Sequence, residues 1–263
     1  TMNHRAFFES LRTGDIKPLY LFTGTEEYIK DQAEARLLEQ TLPAGMEAMN
    51  LTELENPEAD ELIAAAETLP FMGERRVVVV RECDLLTAAK GDDKKLEALS
   101  AYLERQAPAT ILLFTVKGKA DARKKLYLTL KKKNALVEFA PMGDGEAETW
   151  ARRTMRVLGK QMSASCAQKL VFTVGRDAAL LKQEMEKLAA YAGERETVTE
   201  EDIDTVCVRS LECSVFQMVD AQAGGDTHGA CRLLNTVLEG GEYRFMVLSM
   251  LLRQYRILYH MCC

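Results

Sequence analysis

The residues best placed to do chemistry in this 263-residue chain are Gly24-Thr25-Glu26-Glu27-Tyr28-Ile29-Lys30-Asp31, just after the apolar run Leu19-Tyr20-Leu21-Phe22. A strand that ends in glycine and leads into a helix is where a phosphate loop sits. That chemistry needs G-x-x-x-x-G-K-[ST]: glycines free the backbone amides to face phosphate, lysine neutralises it, and the hydroxyl holds magnesium. Gly24 and Lys30 fit. Ile29 stands where the second glycine belongs and would block the approach of the backbone, and Asp31 replaces the magnesium hydroxyl. Glu26 and Glu27 bring negative charge to the place where a triphosphate would lie, which is unfavourable at separations of about 4–6 Å. The segment reads as a degenerate phosphate loop. No catalytic residue, metal or cofactor is expected.

The next acids are similarly displaced from a task. The valine run 77–80 is followed by Arg81-Glu82-Cys83-Asp84, close to the strand-then-acid arrangement that holds magnesium in P-loop enzymes. Without a phosphate loop these acids have nothing to act on and read as a surface turn. Thr115, at the end of the next apolar run, and Arg176, in Gly175-Arg176-Asp177, stand where P-loop ATPases keep nucleotide-sensing polar residues. An Arg-Asp pair at a helix start is equally a cap and a dipole partner.

A different kind of chemistry is offered by Thr68-Leu69-Pro70-Phe71-Met72-Gly73. Proline stops the preceding helix and glycine breaks the chain again, so Leu69, Phe71 and Met72 are displayed on a turn. Large apolar residues on such a tip either fold back onto their own core or anchor in a partner. The residues alone leave both open.

The net charge of −6 argues against a free-standing nucleic-acid binder. Residues 117–133 depart from it, with Lys117, Lys119, Arg123, Lys124, Lys125, Lys131, Lys132 and Lys133 against Asp121 alone, a local +7 that leaves −13 for the rest. A solvated helix face accounts for most such runs. The seven cysteines, Cys83, Cys166, Cys207, Cys213, Cys231, Cys262 and Cys263, form no C-x-x-C pair, so they read as reduced thiols filling cores. No uninterrupted apolar stretch is long enough for a membrane span and residues 1–12 lack a signal core, so a cytoplasmic location is expected.

The elements that must position these residues change character along the chain. Through residue 140, short apolar runs (19–22, 77–80, 111–114, 136–139, with 49–51 as a further strand) alternate with helical patterns, which points to a parallel sheet covered on both faces. Asn56-Pro57 reads as a cap and first helical residue, opening a helix with Leu62, Ala66 and Leu69 on one face. Pro141-Met142-Gly143-Asp144-Gly145 is a joint, after which no strand is expected. A helix about 176–192 has Leu181, Met185, Leu188 and Ala192 on one stripe, and Thr199 to Asp202 resembles a capping box. A third region after about residue 210 ends in an apolar helix without a capping glycine, so more chain is expected beyond it. The division expected is an α/β domain over 1–140 and all-α regions over 141–210 and 211–263.

In order and content these residues resemble the delta subunit of the bacterial DNA polymerase III clamp loader. The similarity rests on residues 18–24, on 68–80, on Lys124-Lys125-Leu126-Tyr127, on Val174-Gly175-Arg176-Asp177 leading to 184–191, and on Leu251-Leu252-Arg253-Gln254-Tyr255-Arg256. The resemblance implies an AAA+-like α/β domain, a helical lid and a partial helical collar. It places a clamp-binding wedge on Leu69, Pro70, Phe71 and Met72, with the helix carrying Leu62 and Ala66 pressing on the ring interface. Its partners would be the sliding clamp (beta subunit), the gamma/tau and delta prime subunits, and primer-template DNA facing Lys124, Lys125, Lys131, Lys132 and Lys133. Other readings of the residues are an active P-loop ATPase with an unusual loop, and a DNA-binding adaptor acting through 117–133.

Overall fold

The computed structural model describes residues 1–42, 44–45, 47–87 and 93–262, so Cys263 lies outside the described residues. The chain divides into two compact units, Thr1–Pro141 and Met142–Cys263.

Among the described residues of the first unit, six parallel strands form one sheet: β1 (Met2–Asn3), β2 (Leu19–Thr23), β3 (Leu51–Glu55), β4 (Arg76–Arg81), β5 (Thr110–Thr115) and β6 (Leu136–Glu138), in the order β1-β6-β2-β5-β4-β3. Between them run α1 (His4–Thr13), α2 (Glu27–Thr41), α3 (Glu47–Asn50), α4 (Ala59–Glu67), α5 (Asp93–Arg105) and α6 (Lys125–Lys132). The central strands are continuous apolar runs because both their faces are covered. Successive side chains alternate between those faces. Leu19, Leu21, Val78, Val80, Leu112 and Phe114 share one core cluster with Leu62 and Ala66 of α4, Leu99 and Leu103 of α5, and Leu126 and Leu130 of α6. Tyr20 and Phe22 meet Phe7 of α1 edge-on at 5.3 and 5.0 Å, and α2 lies beside α1 and buries Ile29, Ala33 and Leu37.

Three local expectations are corrected. Residues 49–51 are not a strand: Met49 and Asn50 end α3, and the strand begins at Leu51. Its Leu-Thr-Glu-Leu-Glu sequence suits a half-exposed edge, where charge discourages further pairing. Asn56 does not cap α4, whose N-cap is Glu58; it adopts a left-handed φ of 42° and exchanges two hydrogen bonds with Asp84, at 2.9 and 3.1 Å. Strands do occur after Pro141, though each is two residues long.

The second unit contains α7 (Asp144–Val157), β7 (Gln161–Met162), α8 (Ala164–Val174), α9 (Ala178–Ala192), β8 (Thr197–Val198), α10 (Glu200–Val206), α11 (Leu211–Ala223), α12 (Thr227–Glu239) and α13 (Arg244–Cys262), with β7 parallel to β8. The stripe Leu181, Met185, Leu188 and Ala192 is buried. Thr199 and Asp202 close a reciprocal capping box on α10. Burial pushes the thiol of Cys166 up to about 11 and that of the half-buried Cys207 up to about 12, as suits unreactive sulfur. Along α13, Phe245, Met246, Leu248, Leu252, Tyr255 and Tyr259 are exposed.

Candidate functional site

In a phosphate loop the helix follows the lysine. Here α2 begins at Glu27, the fourth of the eight motif positions, and only residues 24–26 connect it to β2. Ile29 is thereby turned into the core at 5% exposure. It does not obstruct a phosphate from the loop, as its place in the motif suggested; it packs the helix. The amides that would cradle a phosphate are taken up by the chain itself: Gly24 N–H donates to Gly118 O at 2.8 Å, Glu26 N–H to Phe139 O at 3.2 Å, and Glu27 N–H to Thr25 O at 3.2 Å. Gly24 has a φ of 134°, and a Cβ there would lie 2.0 Å from the Phe139 carbonyl oxygen. The close approach of a neighbouring backbone, with no phosphate involved, is what requires glycine.

Lys30 is 2% exposed. Its ammonium donates to Gly24 O at 3.0 Å, to Val116 O at 2.8 Å and to both carboxylate oxygens of Glu27 at 2.9 and 3.0 Å. An ammonium has three donors, and the chain supplies acceptors for all of them. The same Glu27 carboxylate accepts from Gly118 N–H at 2.7 Å. Glu27 thus stands as an internal anion between the lysine and an amide, while Glu26 is buried and Asp31 exposed. The acids after β4 are also engaged: Arg81 donates to Glu34 at 3.1 Å and to Glu53 at 2.7 Å, Glu82 accepts from Lys117 N–H at 2.8 Å, and Asp84 pairs with Asn56. The hydrogen bond that Arg81 donates to Glu34, ahead of the one to Glu53, holds its guanidinium above its usual value. Thr115 is buried at the end of β5, and Arg176 lies 3.6 Å from Asp144.

The tip lies at the opposite, amino-terminal end of the strands, before β4 begins at Arg76. Leu69 is 80% exposed, Met72 75% and Phe71 49%, with Pro70 half-buried. Met72 holds a left-handed φ of 49°, a conformation costing an L-residue roughly 1–2 kcal/mol. Asn50 is wholly buried and grips Phe71 from both sides: its Oδ1 accepts from Phe71 N–H at 2.7 Å and its Nδ2 donates to Phe71 O at 2.9 Å. Leu62 and Ala66 belong to the core cluster, so the outward face of α4 is Asp60, Glu61, Ala64 and Glu67. Asn50 had no signal in the sequence; reading 49–51 as a strand concealed it.

The basic segment is split by the helix it flanks. Lys124 caps α6 and Lys125 opens it, with no acid in the first turn; Lys131 and Lys132 close it. The macrodipole favours cations at the C-terminal end, where Lys131 and Lys132 lie, and disfavours them at the N-terminal one, where Lys124 and Lys125 lie. Lys133 pairs with Glu104 at 3.2 Å, and Arg123 pairs with Asp121, holding that carboxyl down at about 2.

The first unit is thus a parallel α/β module of the kind that carries phosphate loops, with the phosphate position filled by its own lysine and glutamate, and a helical unit follows it. The comparisons narrow this. The family model for "DNA polymerase III, delta subunit" matches residues 20–140, within the first unit. The chain is 28% identical to the DNA polymerase III subunit delta of Bacillus subtilis over 257 residues, covering 95% of this chain and 74% of that protein. The solved structure of the Bacillus subtilis DNA clamp loader delta protein (YqeN) superposes with a TM-score of 0.66 at 27% identity, covering 96% of this chain and 76% of that one. A Thermotoga maritima RuvB variant superposes at a TM-score of 0.49 with 11% identity, over 84% of this chain and 75% of that one. The resemblance read from the residues is matched by these comparisons: the chain is similar to the DNA polymerase III delta subunit over most of its length. Among the described residues no helix is long and apolar enough to cross a membrane.

Proposed function

We propose that this chain acts as the delta subunit of a clamp loader in DNA replication, binding the sliding clamp through Leu69, Pro70, Phe71 and Met72 without hydrolysing ATP itself. The observation that carries this reading is the exposure of three large apolar side chains on one short turn, held by a buried asparagine instead of folding back onto the core. Such a cluster suits the centre of an interface. Bound to the clamp, it would open the ring to the extent that it binds the open ring more tightly than the closed one. The occupied amides and the internally paired Lys30 support a role without nucleotide.

In this reading residues 141–210 serve as a lid and 211–263 as a collar, whose exposed α13 face meets the gamma/tau and delta prime subunits. Lys124 and Lys125, and with them Lys131, Lys132 and Lys133, face primer-template DNA in the assembled loader. The test is direct binding of the full chain to the sliding clamp of the same organism. The wild type is expected to bind with or without ATP. Leu69→Ala with Phe71→Ala is expected to weaken binding about 100-fold or more, since each anchor contributes roughly 1.5–3 kcal/mol, with the circular dichroism spectrum unchanged. Undiminished affinity in the double variant would remove the tip from the interface.

A further inference from the structure

We propose that Asn50 is a positioning residue that pre-forms the apolar tip for its partner. The inference rests on the clamp-binding reading for its partner and on geometry for everything else. Between Leu69 and Arg75 the two bonds from Asn50 to the Phe71 backbone are the only hydrogen bonds among the described residues. They work like one rung of a sheet ladder, with a side-chain amide in place of a strand. On either side of Asn50, Arg76 fixes the segment that carries it: Nη1 donates to Met49 O at 3.0 Å and Nη2 to Thr52 Oγ1 at 2.6 Å. The pairing of Leu51 with Val77 sets Asn50 level with Arg76, so the pin on Phe71 stands beside the residue at which the tip segment joins the sheet.

Phe71 is half exposed and Met72 sits at a φ its side chain does not favour. Nothing in their own burial holds that arrangement, whereas the amide of Asn50 does. Without it the connection samples other conformations, and binding must then order it, at a cost in backbone entropy for each residue fixed. The anchors would be present but not presented.

Four experiments on the full chain decide the matter. In the wild type the Phe71 amide should exchange with deuterium at least about tenfold more slowly than those of Leu69 and Met72, because it alone is hydrogen-bonded. Equal rates overturn the pin without recourse to any variant. Asn50→Ala should release the Phe71 amide and weaken binding to the sliding clamp about 10–100-fold. Asn50→Asp keeps the acceptor for Phe71 N–H and loses the donor, so it should retain amide protection and bind with intermediate affinity. In the Leu69→Ala, Phe71→Ala background, Asn50→Ala should add less than about twofold, since the side chains it presents are gone. A freed amide with unchanged affinity, or a full additional loss in that background, would show that Asn50 acts elsewhere. If the wild type itself does not bind the clamp, the clamp reading fails, and the exchange rates alone judge the pin.

Discussion

An ammonium at 2% exposure must find an acceptor for each of its donors or lose far more than it gains by burial. Lys30 finds them in two buried carbonyls and the Glu27 carboxylate. Lys30→Ala leaves the carbonyls of Gly24 and Val116 without that donor, and the chain is expected to lose roughly 2–4 kcal/mol of stability by urea denaturation. Glu27→Ala should cost less, because its carboxylate is about half exposed and water can replace it in part. Gly24 and Lys30 were legible in the sequence as motif positions. The task of Glu27 was not, because it depends on α2 starting four residues earlier than the motif requires, and the direction of a side chain follows the start of its helix. Asn50 was hidden for a similar reason: its partner is 21 residues away, and only the β3–β4 register brings them together.

At the level of elements, legibility follows the strength of the pattern. The runs that became β2, β4, β5 and β6 are buried and apolar, and the stripe of α9 is regular; these were read correctly from spacing alone. The edge strands β1 and β3, with few apolar residues, and the two-residue strands β7 and β8 exist because a neighbour is available to pair with, which spacing does not show. The capping box at α10 was visible as Thr199 followed three residues later by Asp202. Its Asp202 also receives Arg195 at 2.9 and 3.0 Å, and these hydrogen bonds hold the carboxyl below its ordinary value of 3.8. A depressed carboxyl stabilises the fold above the unfolded value and ceases to do so as pH falls through the folded one. Asp202→Ala is therefore expected to cost about 1–2 kcal/mol near neutrality. The gap between variant and wild type should close as denaturation is repeated at pH values falling below 3.8.

For the whole molecule, the first unit ends at Pro141 and closes its core with its own residues, which predicts that it carries the tip without help. A fragment of residues 1–141, once shown by circular dichroism to fold, should bind the sliding clamp within about threefold of the full chain, as expected for a site contained in one domain. A much weaker fragment would move part of the interface into the second unit. Within the first unit the parallel sheet sets Lys30 and Glu27 at the carboxyl ends of the strands and the tip at the amino end of β4. That strand runs from the amino to the carboxyl end of the sheet over about 20 Å, paired on both sides by β3 and β5. Paired along its length, it ties Arg76, which anchors the segment carrying the tip's partner asparagine, to Arg81, which Glu34 and Glu53 hold at the opposite end.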